Sequence, residues 1–242
     1  MKVSEKTCLL KSRRHLVTRT VTYKGLSGIV ILDMMKAAYL PKSRTLLVAD
    51  LHFEKASYLQ EAGNVVLPAY DTQETISKLK DIIGVYNPQH VVALGDSFHD
   101  IRAGNRIATK NVESLNIMIS ALPAFTWILG NHDPAIPEII EGPREDHLEI
   151  DGFLLTHEPT APAPNQTNIC GHLHPKAKIT IRKRRLAHPC FACSDSRIIL
   201  PSFGAYTGGL WTTHPAIKGV MGGNKMLALT ALNGIFPIAD TS

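Results

Sequence analysis

Six histidines of this 242-residue chain stand in short polar stretches, each following an apolar run. The stretches are Asp50-Leu51-His52, Gly95-Asp96 with His99 and Asp100, Gly130-Asn131-His132-Asp133, His157, and Gly171-His172-Leu173-His174. A single histidine in such a place is more often structural than catalytic. Six of them beside Asp50, Asp96 and Asn131 are harder to dismiss. Buried polar groups are costly unless satisfied, so many of them gathered at one sheet edge need a common partner. A pair of divalent cations is such a partner, and the chemistry in view is metal-assisted.

The elements that must position these groups are short. Leu46–Ala49, Val91–Leu94, Phe125–Leu129, Phe153–Thr156 and Ile169–Cys170 are apolar runs that read as buried strands. Functional groups at the carboxyl ends of such strands lie where α/β sheets place their sites. Between them, Asp71-x-x-Glu74 reads as a capping box opening a helix with Ile76, Leu79 and Ile83 on one face. Val112, Leu115, Ile119 and Leu122 form a second helical stripe, stopped by Pro123. After His174 the chain turns to short strands at Ile179–Ile181, Arg197–Leu200, Lys225–Leu232 and Ile235–Ile238, the last two flanking an Asn233-Gly234 hairpin signal. This order predicts an α/β fold, a layered sandwich with two central mixed sheets flanked by helices. Residues 1–24 are expected to be a peripheral segment, and 25–242 a single domain.

Composition narrows the class. Hydrophobic residues make up 44% of the chain, as in a globular protein. No apolar run approaches the ~18 residues of a spanning helix, and Leu9-Leu10 is too short for a signal core, which points to a cytoplasmic protein. A net charge of +5 leans toward anionic partners. Of the cysteines Cys8, Cys170, Cys190 and Cys193, only Cys190-Phe191-Ala192-Cys193 forms a CxxC pair, with no second pair to complete a zinc site. Pro189 and Ser194-Asp195 make that pair read as a loop, and the cysteines as reduced and structurally ordinary.

The series Asp50-x-His52, Gly95-Asp96, Gly130-Asn131-His132-Asp133, His157 and Gly171-His172-x-His174 resembles the five-block signature of calcineurin-like metallophosphoesterases. The stretches 49–56, 95–100 and 200–209 are similar, more narrowly, to the bacterial ligase-associated DNA damage response endonucleases of that superfamily. The resemblance implies two divalent ions, manganese first, with iron or zinc as alternatives. The first would take Asp50, His52, Asp96 and His174; the second Asp96, Asn131, His157 and His172; Asp96 would bridge them. A shared carboxylate sets such ions about 3.5–4 Å apart, a hydroxide between them attacks the phosphorus, and the ions offset charge in the transition state. His132 would hold the phosphate or protonate the leaving oxygen. His99 stands where many phosphatases of the superfamily carry an Asp that orients this histidine. The repair nucleases resemble the chain there, so His99 is expected at the scissile phosphate, the alternative being a purely orienting role.

The basic stretch after His174 bears on the substrate. Lys176 and Lys178 would share one strand face, with Arg182, Lys183, Arg184 and Arg185 at or near its end. Lys178, Arg182, Lys183 and Arg184 are candidate nucleic-acid contacts, or else the solvated lysines of an edge strand. No aromatic ladder accompanies them in the sequence. The leading expectation is a phosphodiesterase or endonuclease acting on DNA in repair, associated with a DNA ligase and a helicase by resemblance, and no membrane partner. The alternative is a phosphatase or pyrophosphatase for a nucleotide or other small phosphoester. A non-catalytic scaffold is disfavoured because every expected ligand is present.

Overall fold

The structure, a computed structural model, describes residues 18–63, 68, 70–181, 184–222, 225–231 and 233–239, with the backbone alone at 179–181 and 184–185. One sheet runs in sequence order: β1 (Thr20–Lys24), β2 (Ile29–Asp33), β3 (Ala38–Leu40), β4 (Thr45–Val48), β5 (His90–Leu94), β6 (Phe125–Ile128) and β7 (Arg144–Glu145). Its first three pairings are antiparallel and its last three parallel. The second sheet is built from β8 (His147–Ile150), β9 (Phe153–Thr156), β10 (Thr167–Cys170), β11 (Lys176–Ile181), β12 (Arg184–Ser194), β13 (Arg197–Ile199), β14 (Lys225–Ala231) and β15 (Gly234–Ala239). Its order is β15-β14-β12-β13-β10-β9-β8, with β11 paired to β12. The helices are α1 (Lys55–Glu61), α2 (Asp71–Tyr86), α3 (Ala103–Arg106), α4 (Thr109–Ser120) and α5 (Pro215–Val220).

Burial explains why these segments read as continuous apolar runs. β4, β6, β10 and β13 are buried at every residue and β5 at every residue after His90, because both faces of the strands are covered. Leu47, Val92 and Leu94 of the first sheet meet Phe153, Leu155, Ile169, Phe191 and Ile198 of the second in one inter-sheet core. On the other face of the first sheet, Leu46, Val91 and Trp127 pack with Ile76, Leu79 and Ile82 of α2 and Leu115 and Ile119 of α4. Behind the second sheet, Cys170, Cys190, Ala192 and Ile199 pack with Ile217 of α5 and Met221. The expected two mixed sheets flanked by helices are the observed architecture.

Four local expectations change. Residues 20–24, placed in the peripheral segment, form β1, and Val21 and Tyr23 enter the inter-sheet core; residues 1–17, Cys8 among them, lie outside the described ones. The capping box at Asp71 does not form: α2 starts at Asp71 with Tyr70 as N-cap and no side-chain cap bond. Asp71 instead accepts from Ala56 N–H at 2.9 Å, tying α2 to α1. The CxxC pair lies in a strand, not a loop, and its cysteines point to opposite faces, Cys193 into the inter-sheet core and Cys190 into the cluster behind it. Pro189 is accommodated because β12 changes partners there: its ladder with β11 ends at Pro189 and its ladder with β14 begins at Cys190. Finally, the expected hairpin forms, with β14 antiparallel to β15, but Gly234 of the Asn-Gly signal is a paired strand residue, opposite Ala231.

The inter-sheet core sets a stability test. Phe191, fully buried there, should cost about 3–5 kcal/mol when truncated in Phe191→Ala, because both the transfer and the cavity terms are lost. Ile117→Ala, on an exposed face of α4, should stay within about 0.5 kcal/mol of wild type. Urea unfolding of the two variants checks the difference.

Candidate active site

The five polar stretches converge at one edge of the sandwich. Asp50 and His52 follow β4, Asp96 and His99 follow β5, and Asn131 and His132 follow β6, all from the first sheet. His157 follows β9, and His172 and His174 follow β10, from the second. The loops are stitched by backbone bonds beyond the strands: Asp50 N–H to Gly95 O, His52 N–H to Asp96 O, Gly171 N–H to His157 O. Phe203 N–H to Ala49 O and Ser202 Oγ to the Asp50 carbonyl bind the chain after β13 to the same turn.

Asp50, His52, Asp96, His172 and His174 all take left-handed backbone, with φ between 42° and 68°. For residues with a Cβ that region is sparsely populated and costs about 1–3 kcal/mol each, so the surrounding bonds must hold them there. Two glycines make the approach close. A Cβ on Gly95, itself at φ 71°, would lie 2.4 Å from the His157 ring. One on Gly130 would lie 2.3 Å from Asp96 Oδ1.

Two donor groups result. Ligand atoms of Asp50, His52 and His174 lie within 4.8 Å of one another, and so do those of Asp96, His157 and His172. Asn131 joins the second group, its Oδ1 2.9 Å from His157 Nε2. The tautomers follow from second partners: His157 Nδ1 faces Leu94 O at 3.0 Å and His174 Nδ1 faces Gly208 O at 3.3 Å. A carbonyl only accepts, so each Nδ1 carries the proton and each Nε2 turns inward, as metal-ligating histidines are held. His174 Nε2 then faces Asp50 Oδ1 at 3.1 Å and His52 Nε2 at 3.4 Å. His157 Nε2 faces Asp96 Oδ1 at 3.3 Å and His172 Nδ1 at 3.2 Å. Acceptors aimed at acceptors call for a positive charge between them, so the residues present fit a pair of dications.

The electrostatics agree. Burial disfavours a charged His157 ring, but the hydrogen bond to Asp96 and the charges of Asp50 and Asp96 prevail and raise its pKa to about 9. The neighbourhood therefore demands a cation, whether a proton or a metal. Burial, then His174, lowers His52 to about 2, and burial, then His157, lowers His172, so both are neutral donors. Burial pushes the Asp96 carboxyl up, yet its hydrogen bond with His157 and the N–H of His132 hold it near 2.

His132 and His99 sit beside the two groups. Their rings stack at 5.4 Å with 16° between planes, and His132 Nδ1 faces His99 O at 3.0 Å. His132 Nε2 is therefore left 4.0 Å from Asp96 Oδ2, on a side chain 45% exposed. His99 Nδ1 lies 3.3 Å from His52 Nδ1, and Tyr58 packs edge-on against its ring at 4.7 Å. Burial, then Lys55, lowers the His99 pKa to about 4.

Motif spacing left Asp133 and Asp100 without a role, and the geometry supplies one. Asp133 is fully buried and accepts backbone N–H bonds from Ser97 at 2.7 Å, Phe98 at 3.0 Å and Gly130 at 3.0 Å, so it ties the second polar stretch to the third. Asp100 binds the Arg106 guanidinium, which also reaches Glu61 and Ser57, and so anchors the His99 loop to α1. Among the basic candidates, Lys176 and Lys178 do share a face, both over the Trp211 ring at 4.4 and 4.2 Å. Trp211 is distant in sequence and lies beside β11 through the Lys176 N–H to Leu210 O bond. Arg182 and Lys183 lie outside the described residues, and Arg184 is described by its backbone alone.

Comparison with known proteins agrees with this geometry. Nuclease MPE of Pseudomonas putida is 28% identical, and the match covers 90% of this chain and all of that one at a TM-score of 0.70. A phosphoesterase from E. coli, Yfce, is 16% identical over 81% of this chain and 98% of its own, at a TM-score of 0.40. No curated protein sequence matches. The model of the calcineurin-like phosphoesterase domain matches residues 43–191, more than half of the chain and every candidate ligand within it, so the chain belongs to the calcineurin-like phosphoesterase family.

Proposed function

We propose that this protein is a dinuclear phosphodiesterase acting on nucleic acid, an endonuclease with DNA as its substrate. Asp50, His52 and His174 would hold one ion, and Asn131, His157 and His172 the other, with Asp96 shared. Bound there, two dications supply a nucleophile from water at neutral pH and neutralise the phosphoryl oxygens. The mixed imidazole, carboxylate and amide donors suit manganese, with iron or zinc as alternatives. The observation that carries the reading is the stacked His99–His132 pair at the mouth of the two donor groups. His132 donates Nδ1–H to the His99 carbonyl, and once it carries a second proton, on Nε2, it can donate to the phosphate or protonate the leaving oxygen. His99 holds the plane of that ring and, neutral at pH 7, serves as a hydrogen-bond donor rather than an acid. The likeness to a nuclease over 90% of the chain supports nucleic acid as the substrate. Work in DNA repair beside a ligase and a helicase belongs to the same reading by resemblance.

Asp96→Asn should lose both metals and activity together, measured by metal analysis and by hydrolysis of an aryl phosphodiester. Retention of one ion with full activity would overturn the shared ligand. Chelation should abolish hydrolysis and manganese should restore it. His132→Ala should keep its metals and lose about 10²–10⁴-fold in turnover, the range of a positioned acid or base; loss of metal would make His132 a ligand instead. A substrate panel of single-stranded and duplex DNA, RNA and aryl mono- and diesters tests the class. Hydrolysis of the monoester alone would favour the small-phosphoester reading.

A further inference from the structure

Beside His174 a cavity of about 130 Å³ is lined by Lys36, Lys176, Ser202 and Thr207. It shares Lys36, His188, Pro189 and Thr207 with a cavity of about 520 Å³ that is also lined by Lys78, Phe203 and Tyr206 and by one carboxylate, Glu74. A groove therefore leads away from the first donor group and carries three lysines. Lys36 projects from the β2–β3 turn on left-handed backbone at φ 70°. Lys78, from α2, lies 3.9 Å over the Phe203 ring and donates to the Phe203 carbonyl at 2.8 Å. Both lysines are half-buried, and among the described residues neither has a carboxylate within ion-pair distance. Burial lowers the pKa of each, and the Lys36 charge adds to burial at Lys78, against the weaker pull of Glu74 and Asp33. Recessed cations that repel one another are stabilised by an anion between them.

The other flank differs. The cavity beside Asn131 and His157 is lined by Asp146, His147 and Glu158, with no lysine or arginine. A polyanion is repelled there and drawn toward His174. Tyr206, which also lines the larger cavity, is 43% exposed, an aromatic face on which a base can stack.

We infer that the groove from His174 to Tyr206 is the substrate-strand subsite: it holds the polynucleotide chain on one side of the scissile phosphate, with Lys36, Lys78 and Lys176 on its phosphates and Tyr206 under a base. This rests on the nuclease reading above and adds a direction to it. The chain is gripped on the His174 side of the donor groups and is loosely held on the other.

The test compares wild type with Lys36→Ala, Lys78→Met and Tyr206→Ala on a single-stranded oligonucleotide and on bis(p-nitrophenyl) phosphate, with manganese. For each lysine variant the ratio of kcat/KM on the oligonucleotide to that on the aryl diester should fall about tenfold, as expected for a lost charged hydrogen bond. The loss should lie in KM. The log–log salt slope for oligonucleotide binding should flatten by about 0.7 per lost phosphate contact. Because Lys78 also braces Phe203, its variant is read only alongside its melting temperature, and Lys36→Ala carries the decision. A wild type that cleaves oligonucleotides with ratio and slope unchanged in Lys36→Ala overturns the subsite and leaves the nuclease standing. A wild type that hydrolyses the aryl diester and no oligonucleotide overturns the nuclease reading and the subsite with it.

Discussion

The structure depends on a concentration of lone pairs. Nε2 of His174 points at the Asp50 carboxylate at 3.1 Å and Nε2 of His157 at the Asp96 carboxylate at 3.3 Å, with His172 Nδ1 3.2 Å from His157 Nε2. Such an arrangement is unfavourable unless positive charge enters it, and everything around it works to keep it from relaxing. Leu94 O and Gly208 O fix the imidazoles from behind. His172 N–H donates to both oxygens of Asp50 at 3.1 Å. Five of the candidate ligands are kept on left-handed backbone, a conformation their own side chains do not favour. Site geometry is thus held by loop backbone whose cost is met by bonds to neighbouring loops.

The same constraint explains the strands beneath. A loop on strained backbone keeps its place only if both its ends are anchored, and β4, β6 and β10 are buried throughout and β5 from Val91 onward. Asp133 closes the arrangement from below. It spends its carboxylate on three backbone N–H groups of two loops, so it is built into the scaffold rather than the chemistry.

Much of this was legible in the sequence for a physical reason. Strands covered on both faces read as apolar runs, and a run that stops at Asp, Asn or His marks the sheet edge where polar groups collect. What escaped was set by tertiary partners. Asp71 has the spacing of a capping box, but its carboxylate serves α1. Pro189 and Ser194 look like loop residues around the CxxC pair, yet β12 exchanges β11 for β14 at Pro189 and so tolerates it. The Val21 and Tyr23 alternation is too short to stand out from the basic residues before it. The pairing of Lys176 and Lys178 on one face follows from strand periodicity, whereas Trp211 beneath them does not, because it arrives from another part of the chain.

Each donor group draws on both halves of the sandwich. Asp50 and His52 come from the first sheet and His174 from the second; Asp96 comes from the first, and His157 and His172 from the second. A cation held in either group is therefore a clasp across the seam between the sheets. Opening that seam and releasing the cation become one event. The site thus guards the integrity of the fold that builds it, and a slip of one sheet against the other would be felt first as lost affinity for the ion.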